Sequence, residues 1–472
     1  MEAKTNWDQI KEWDKKYYMH NRVIEKDYVP FPIDHTESTD TLVAPDGTKY
    51  LDFQNQAICV NTGQTNDYVK ARMHECIDRF GFVLDGYLVD YKAKACKIIM
   101  EDLIGPDNWA GRIKIVTDGS DAVEAAAYIA RIFTGKPIIA TRDYSYHGWT
   151  GTAVSLTQVR TSRNGFWAPL ENKQVTNCEQ SYSAPVVSGP APHCFRCALG
   201  HKKEDCLASG KEYPCVTMLR KRIEYAGIDS VAALITEPIQ GVGSIVPPEG
   251  YIKQIRQMTK EMGILWIADE IITGFGRTGE WFAYQLYDVT PDILILGKGL
   301  ANSAAAVSAV VVSKEISKYF DTIWWKCINT FSASPLSMAA LLGNLEFMLA
   351  NDIPQKAKKV GEILGARLKA MEKKYTCVGS VEGGAALWTM ELVKDAQNTP
   401  FVAQDRNWAP GDDMPPAPTG IIRAKAMEKG AIFGGFMPNT LRIATSLVIS
   451  EDDIHKGMDA LEYALDHLES TL

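Results

Sequence analysis

From about residue 110 onward, short runs of wholly apolar residues alternate with amphipathic stretches. The apolar runs fall at 113–116, 137–141, 231–235, 264–268, 293–296 and 306–312, and helix-like stretches such as 122–133 and 251–262 lie between them. A strand that is apolar at every position is buried on both faces, and parallel neighbours need a long crossover, usually a helix. The order therefore predicts an α/β fold with a mainly parallel sheet covered by helices.

The flanking regions follow other patterns. The first 35 residues read as a polar helix followed by the linker Val29-Pro30-Phe31-Pro32. Residues 41–53 read as a hairpin: TLVA, the turn Pro45-Asp46-Gly47, then KYLDF. Residues 180–215, rich in Pro, Ser, Cys and Gly, read as one long insertion loop. Helical patterning dominates after about 335, strands are expected in 379–392, and 395–418 is a Pro-rich excursion. A length of 472 residues suits two to three domains.

Several function classes are excluded. With 50 basic against 58 acidic residues, a net charge of −8 and no basic stripe, nucleic acid is not an expected partner. No run of about 18 apolar residues exists, so no membrane span is expected. The opening MEAKTNWDQIKEWDKKYY has no apolar core and does not read as a secretory signal. The ten cysteines are then expected as reduced thiols in the cytoplasm.

The strands run into chemistry-bearing residues. VAALI leads to Thr236-Glu237-Pro238, ILWIA to Asp269-Glu270, and DILIL to Gly297-Lys298-Gly299. In open α/β sheets ligands sit at the carboxyl ends of strands. A lysine held in a cleft can lose its proton and condense with an aldehyde. An ionised aspartate can keep a pyridine nitrogen protonated, so that the ring accepts electrons. Lys298 and Asp269 are the candidates for this pair; singly, a solvated loop lysine and a helix-capping aspartate are the plainer readings. Asp118-Gly119-Ser120-Asp121, between a strand and a helix, could bind an anion through backbone N–H groups, or could simply cap the helix.

These residues carry a resemblance to the class III pyridoxal-phosphate aminotransferases, the ω-aminotransferase group of fold type I. The resemblance covers most of the chain. Its most specific part is ILWIADEIITGFGRTGEWFAYQLYDVTPDILILGKGLANS at 264–303. APDGTKYLDF, DGSDAVEAAAYIAR, SYHG, TEPIQG, NTFSASPL and LRIATSLVISEDDI also match. It implies a large domain with a mainly parallel, seven-stranded-type sheet plus a small α+β domain. Residues 1–60 would contribute to the small domain, 61–340 form the large cofactor-binding domain, and 341–472 form the C-terminal small domain.

The resemblance also implies roles. Pyridoxal 5'-phosphate would be the cofactor, carried by Lys298, which would also move the substrate proton. Asp269 would pair with the pyridine nitrogen, Ile271 and Tyr146 would cover the two ring faces, and Glu237 would lie on the phenolic oxygen side. Gly119 and Ser120 would bind the phosphate. Thr330 would reach the phosphate of a neighbouring subunit, which implies a homodimer with shared active sites. Arg442, with Trp149 nearby, would meet the acid group of a substrate. The reaction would pass the amino group of an ω-amino acid or taurine-like donor to a 2-oxo acid, pyruvate or 2-oxoglutarate; an aminomutase or decarboxylase would start from the same lysine.

The chain departs from the family's 2-oxoglutarate users at two positions. Trp149 stands where they often carry an arginine, and Val242 follows Gly241 where they carry a gating glutamate. Arg442 is therefore expected to be free for an acid group in both half-reactions, with Arg160 or Arg163 as a possible second cation. An aromatic-walled pocket and the cysteine-rich insertion resemble, weakly, the taurine-using members.

Two rival readings remain. Gly274-Phe275-Gly276-Arg277-Thr278-Gly279 fits the dinucleotide pattern GxGxxG, but lies several residues past its strand and lacks the later acid. Cys194 and Cys197, then Cys206 and Cys215, with His193 and His201 nearby, could hold zinc. Their x8 gaps are not those of a standard finger, so they read as reduced thiols, and no metal is assigned.

Overall fold

The computed structural model describes residues 5–20, 27–159, 185–326, 328–403, 416–435 and 437–472. The alternating region forms one seven-stranded sheet. Its strands, numbered in chain order after three N-terminal ones, are β4 (Ala110–Val116), β5 (Ile138–Arg142), β6 (Val186–Gly189), β7 (Val231–Thr236), β8 (Leu265–Asp269), β9 (Ile293–Leu296) and β10 (Ser308–Ser313). They lie in the order β4-β10-β9-β8-β7-β5-β6. Strands β5 to β9 pair in parallel, while β10 runs antiparallel to both β9 and β4. Two reversals restore direction, so β4 points the same way as β9. The carboxyl ends of β4, β7, β8 and β9 therefore open on one edge.

Burial matches the patterning. Every residue of β7 and β9 is buried. The helix Gly119–Thr134 lays its alanine face on the sheet, burying Ala122, Ala126 and Ala130. The helix Pro335–Ala350 is buried almost all round, which suits its apolar composition.

The N-terminal hairpin is present: β2 (Thr41–Val43) and β3 (Lys49–Phe53) pair antiparallel, with β1 (His35–Glu37) beside β2. Gly47, at φ +87°, supplies the backbone conformation its turn needs. A third sheet joins β11 (Val378–Gly384), β12 (Leu387–Leu392) and β14 (Thr440–Ala444). β3 pairs in parallel with β13 (Ala431–Phe433), which ties the start of the chain to its C-terminal part.

One expectation is corrected. The span 180–215, described from residue 185, is not a single loop: β6 is the edge strand of the large sheet, and Cys215 belongs to the helix Pro214–Ala226. The strand is four residues long and bounded by Pro185 and Pro190. Prolines at that position are tolerated only because the strand lies on the edge.

Candidate active site

Three strand ends meet around one side chain. A Cβ added at Gly119 would stand 2.8 Å from Ile271 Cδ1, and one added at Gly297 would stand 3.2 Å from Ile271 Cγ1. Ile271 thus fills the space between the turn after β4 and the turn after β9. Two residues earlier, Asp269 ends β8 with its carboxylate buried. Its Oδ1 accepts the Ile271 N–H at 3.2 Å, and its Oδ2 lies 2.7 Å from Nδ1 of the buried His147. His147 escaped the sequence reading. Its only signal was its place in Ser145-Tyr146-His147-Gly148, and a lone histidine is ordinarily structural.

Lys298 follows β9 at φ +43°, a left-handed conformation that a side-chain-bearing residue adopts at a cost. A buried amide network fixes this turn. Asn344 Nδ2 donates to the carbonyls of Gly299 and Leu300, both at 2.9 Å. Thr62 Oγ1 donates to Asn344 Oδ1 at 2.7 Å, and the Thr62 N–H donates to Asn302 Oδ1 at 2.9 Å. A Cβ at Gly299 would stand 2.7 Å from Asn61 Cγ, so the N-terminal segment presses directly on the lysine turn.

Glu237 follows β7 and is buried. It accepts the Tyr146 N–H at 2.9 Å and the Gly241 N–H at 2.8 Å. Burial raises its pKa above the usual carboxylate range, and the nearby Asp269 adds to the rise. The half-buried Tyr146 packs with Tyr144 against Val159, Val242 and Met437. Arg442 is buried on β14, and Nη1 donates to the Gly241 carbonyl at 2.9 Å. It is already engaged here, whereas the sequence reading expected it to be free for an acid group. One partner is a main-chain carbonyl one residue before Val242.

The helix beginning at Gly119 has no internal acceptors for its first N–H groups. Asp118 caps it, accepting the Asp121 N–H at 3.0 Å. Ser120 is buried and accepts the Trp149 N–H at 3.2 Å, while the Trp149 side chain is exposed. Thr330 is exposed, and the neighbouring Asn329 donates to Asp121 Oδ2 at 2.9 Å. Arg160 and Arg163 lie outside the described residues.

The dinucleotide reading fails. The GFGRTG segment is a turn after β8 and opens no helix. Its Arg277 is buried, donating from Nη2 to Asn55 Oδ1 at 2.7 Å and Asn61 Oδ1 at 2.6 Å, and from Nη1 to the Ala386 and Thr445 carbonyls. Burial lowers its pKa to about 9. The motif joins the N-terminal segment, the large sheet and the C-terminal sheet.

The family described as aminotransferase class-III matches residues 23–465. This chain is a class-III aminotransferase. It is similar to an S-selective transaminase from Arthrobacter sp., solved with alanine bound, at 45% identity and TM-score 0.91 over 99% of each chain. It is also similar to the taurine:2-oxoglutarate aminotransferase of Bifidobacterium kashiwanohense, solved with PLP and glutamate, at 27% identity and TM-score 0.88 over 100% of each chain. Among curated proteins, the alanine/serine racemase of Pyrococcus horikoshii is 29% identical across 89% of this chain and 82% of its own length.

The fold is therefore that of the pyridoxal-phosphate transferases of type I, and the enzyme is a PLP-dependent aminotransferase of the ω-amino acid type. Its residues fit the cofactor. The turn that carries Lys298, the buried Asp269 and a helix N-terminus meet about Ile271, where side chains on Gly119 or Gly297 would crowd it. Among the described residues no helix is long and apolar enough to cross a membrane.

Proposed function

We propose that this aminotransferase moves the amino group of a small ω-amino acid or taurine-like amine to a 2-oxo acid, pyruvate or 2-oxoglutarate. The observation carrying the proposal is the buried Arg442 donating to the Gly241 carbonyl, with Val242 where a gating glutamate would stand. A carboxylate gate would compete with the substrate for the guanidinium. A planar guanidinium suits a carboxylate or sulfonate by bidentate pairing.

Bound pyridoxal 5'-phosphate supplies an aldehyde for the amine and a ring that accepts electrons from the carbon losing its proton. In this reading Lys298 Nζ carries the cofactor and moves that proton. Asp269, oriented by His147, holds positive charge at the ring nitrogen. Ile271 and Tyr146 bracket the ring, Glu237 lies beside its phenolic oxygen, and Gly119 and Ser120 bind the phosphate. Trp149 contributes to the pocket wall.

Thr330 is assigned to the phosphate of a second copy, which makes the enzyme a homodimer. Exposed Trp324, Ile328 and Phe331 flank Thr330, and Phe331 touches the exposed Phe82 at 5.9 Å between ring centres. An apolar surface of this kind suits an interface. All eight described cysteines are free thiols, which favours the cytoplasm as the setting.

The test is a panel of donors and acceptors with mass detection of the new amino acid. Taurine, β-alanine and longer ω-amino acids should donate to pyruvate or 2-oxoglutarate. Racemisation of alanine without net amino transfer would place the enzyme with its racemase relatives.

A further inference from the structure

We propose that Cys194, Cys197, Cys206 and Cys215 form a structural tetrathiolate site for one zinc ion, separate from the active site. Nothing in the transamination chemistry uses these residues. The sequence spacing argued against a finger because both later gaps are long. The fold answers that objection, since the gaps are spanned by structure that brings all four cysteines to the lining of one cavity.

Cys194 opens the 3-10 turn Cys194–Arg196, and Cys197 follows it. Side chains three residues apart eclipse in such a turn, so both thiols leave the chain on one side. The Gly200 N–H donates to the Cys197 carbonyl at 3.0 Å, and Gly200, at φ +73°, turns the chain back. Cys206 comes from the short helix Lys203–Ala208. Cys215 comes from the first turn of Pro214–Ala226.

All four line one small cavity of about 30 Å³, with His193 and His201 at its margin. Room for one water-sized occupant needs roughly 10–15 Å³, so a single ion fits.

The segment also needs a staple. Between β6 and Pro214 it holds only a 3-10 turn and a six-residue helix, and all four cysteines are half-buried. Its other anchors are polar: Arg196 Nε donates to Glu391 Oε1 at 2.6 Å, and Lys203 pairs with Glu382 at 2.6 Å. Among the described residues no three His, Cys, Asp or Glu side chains are already gathered tightly enough to hold an ion. The thiols must turn inward between staggered rotamers to close on it.

Sulfur at all four positions selects zinc over oxygen-preferring ions, with Zn–S near 2.3 Å. Binding Zn²⁺ as four thiolates releases four protons to solvent and leaves the site with charge −2. His193 packs edge-on against Tyr144 at 6.3 Å between ring centres, so the staple would also support the turn leading to Tyr146.

The experiment is metal analysis of the purified full-length holoenzyme. About one zinc per chain is expected. The double variant Cys194→Ser/Cys197→Ser should lose the metal while retaining bound pyridoxal phosphate. Should that variant fail to fold, mercurial titration of the wild type gives the same information, since four thiols should react per zinc released. Cobalt replacing zinc should show thiolate charge-transfer absorption. Metal-free protein with four freely reactive thiols, disulfides among these cysteines, or bound iron in place of zinc would each overturn the assignment.

Discussion

His147 Nδ1 stands 2.7 Å from Asp269 Oδ2, and both side chains are buried. The pair lies at the end of β8, where the carboxylate is also held by the Ile271 N–H at 3.2 Å. Asp269→Asn should leave pyridoxal phosphate bound and cut turnover by roughly 10²- to 10⁴-fold, since losing one partner of a buried ionic pair costs about 3–5 kcal/mol. His147→Ala should cost less, about 10- to 100-fold for a hydrogen bond to a charged group worth about 1.5–3 kcal/mol. It should also shift the bound-cofactor spectrum. Near-normal turnover in Asp269→Asn would remove the aspartate from the mechanism.

The contact of Arg442 with the Gly241 carbonyl predicts a symmetric effect on both half-reactions. Arg442→Ala should raise the KM of the acid-bearing donor and of the 2-oxo acid together, by roughly 10- to 100-fold for a charge-assisted pair. Arg442→Lys should rescue only partly, because an ammonium lacks the bidentate fork. Monoamine donors without an acid group should change little. An effect on the acceptor alone would contradict the shared-arginine reading.

The exposed Thr330 predicts complementation between subunits. Mixed Lys298→Ala and Thr330→Ala protomers should show the threonine defect in the site of the opposite subunit. Weakened cofactor binding confined to the threonine variant's own site would exclude shared sites.

How far the sequence could be read follows from the length and patterning of each element. The strand-end positions of Glu237, Asp269 and Lys298 were visible because each strand is an apolar run that ends abruptly in a polar residue. β6 was hidden by its four-residue length between prolines. The Asn61, Asn302 and Asn344 network was hidden because its partners lie 44 to 282 residues apart, with no local periodicity to mark them. The contact of Arg442 with Gly241 was not legible, since Gly241 offers only a main-chain atom.

A stability prediction comes from Asp40, buried beside Ser446, whose N–H donates to it at 2.7 Å. Burial pushes its carboxyl up to about 6. The folded pKa lies above the unfolded value of about 3.9, so its contribution is fully present below about pH 4 and lost as pH rises through about 6. Asp40→Asn should remove that loss. Relative to wild type, the variant should gain up to about 3 kcal/mol between pH 4 and 7, read from paired denaturant titrations. A wild-type-minus-variant difference independent of pH would contradict the assignment.

The most direct measurement is borohydride reduction of the purified enzyme followed by peptide mapping. The protein should be yellow, borohydride should abolish the visible band, and the pyridoxyl group should be found on the peptide containing Gly297-Lys298-Gly299. Recovery of the label on any other lysine, or a colourless protein that binds no pyridoxal phosphate, would contradict the account.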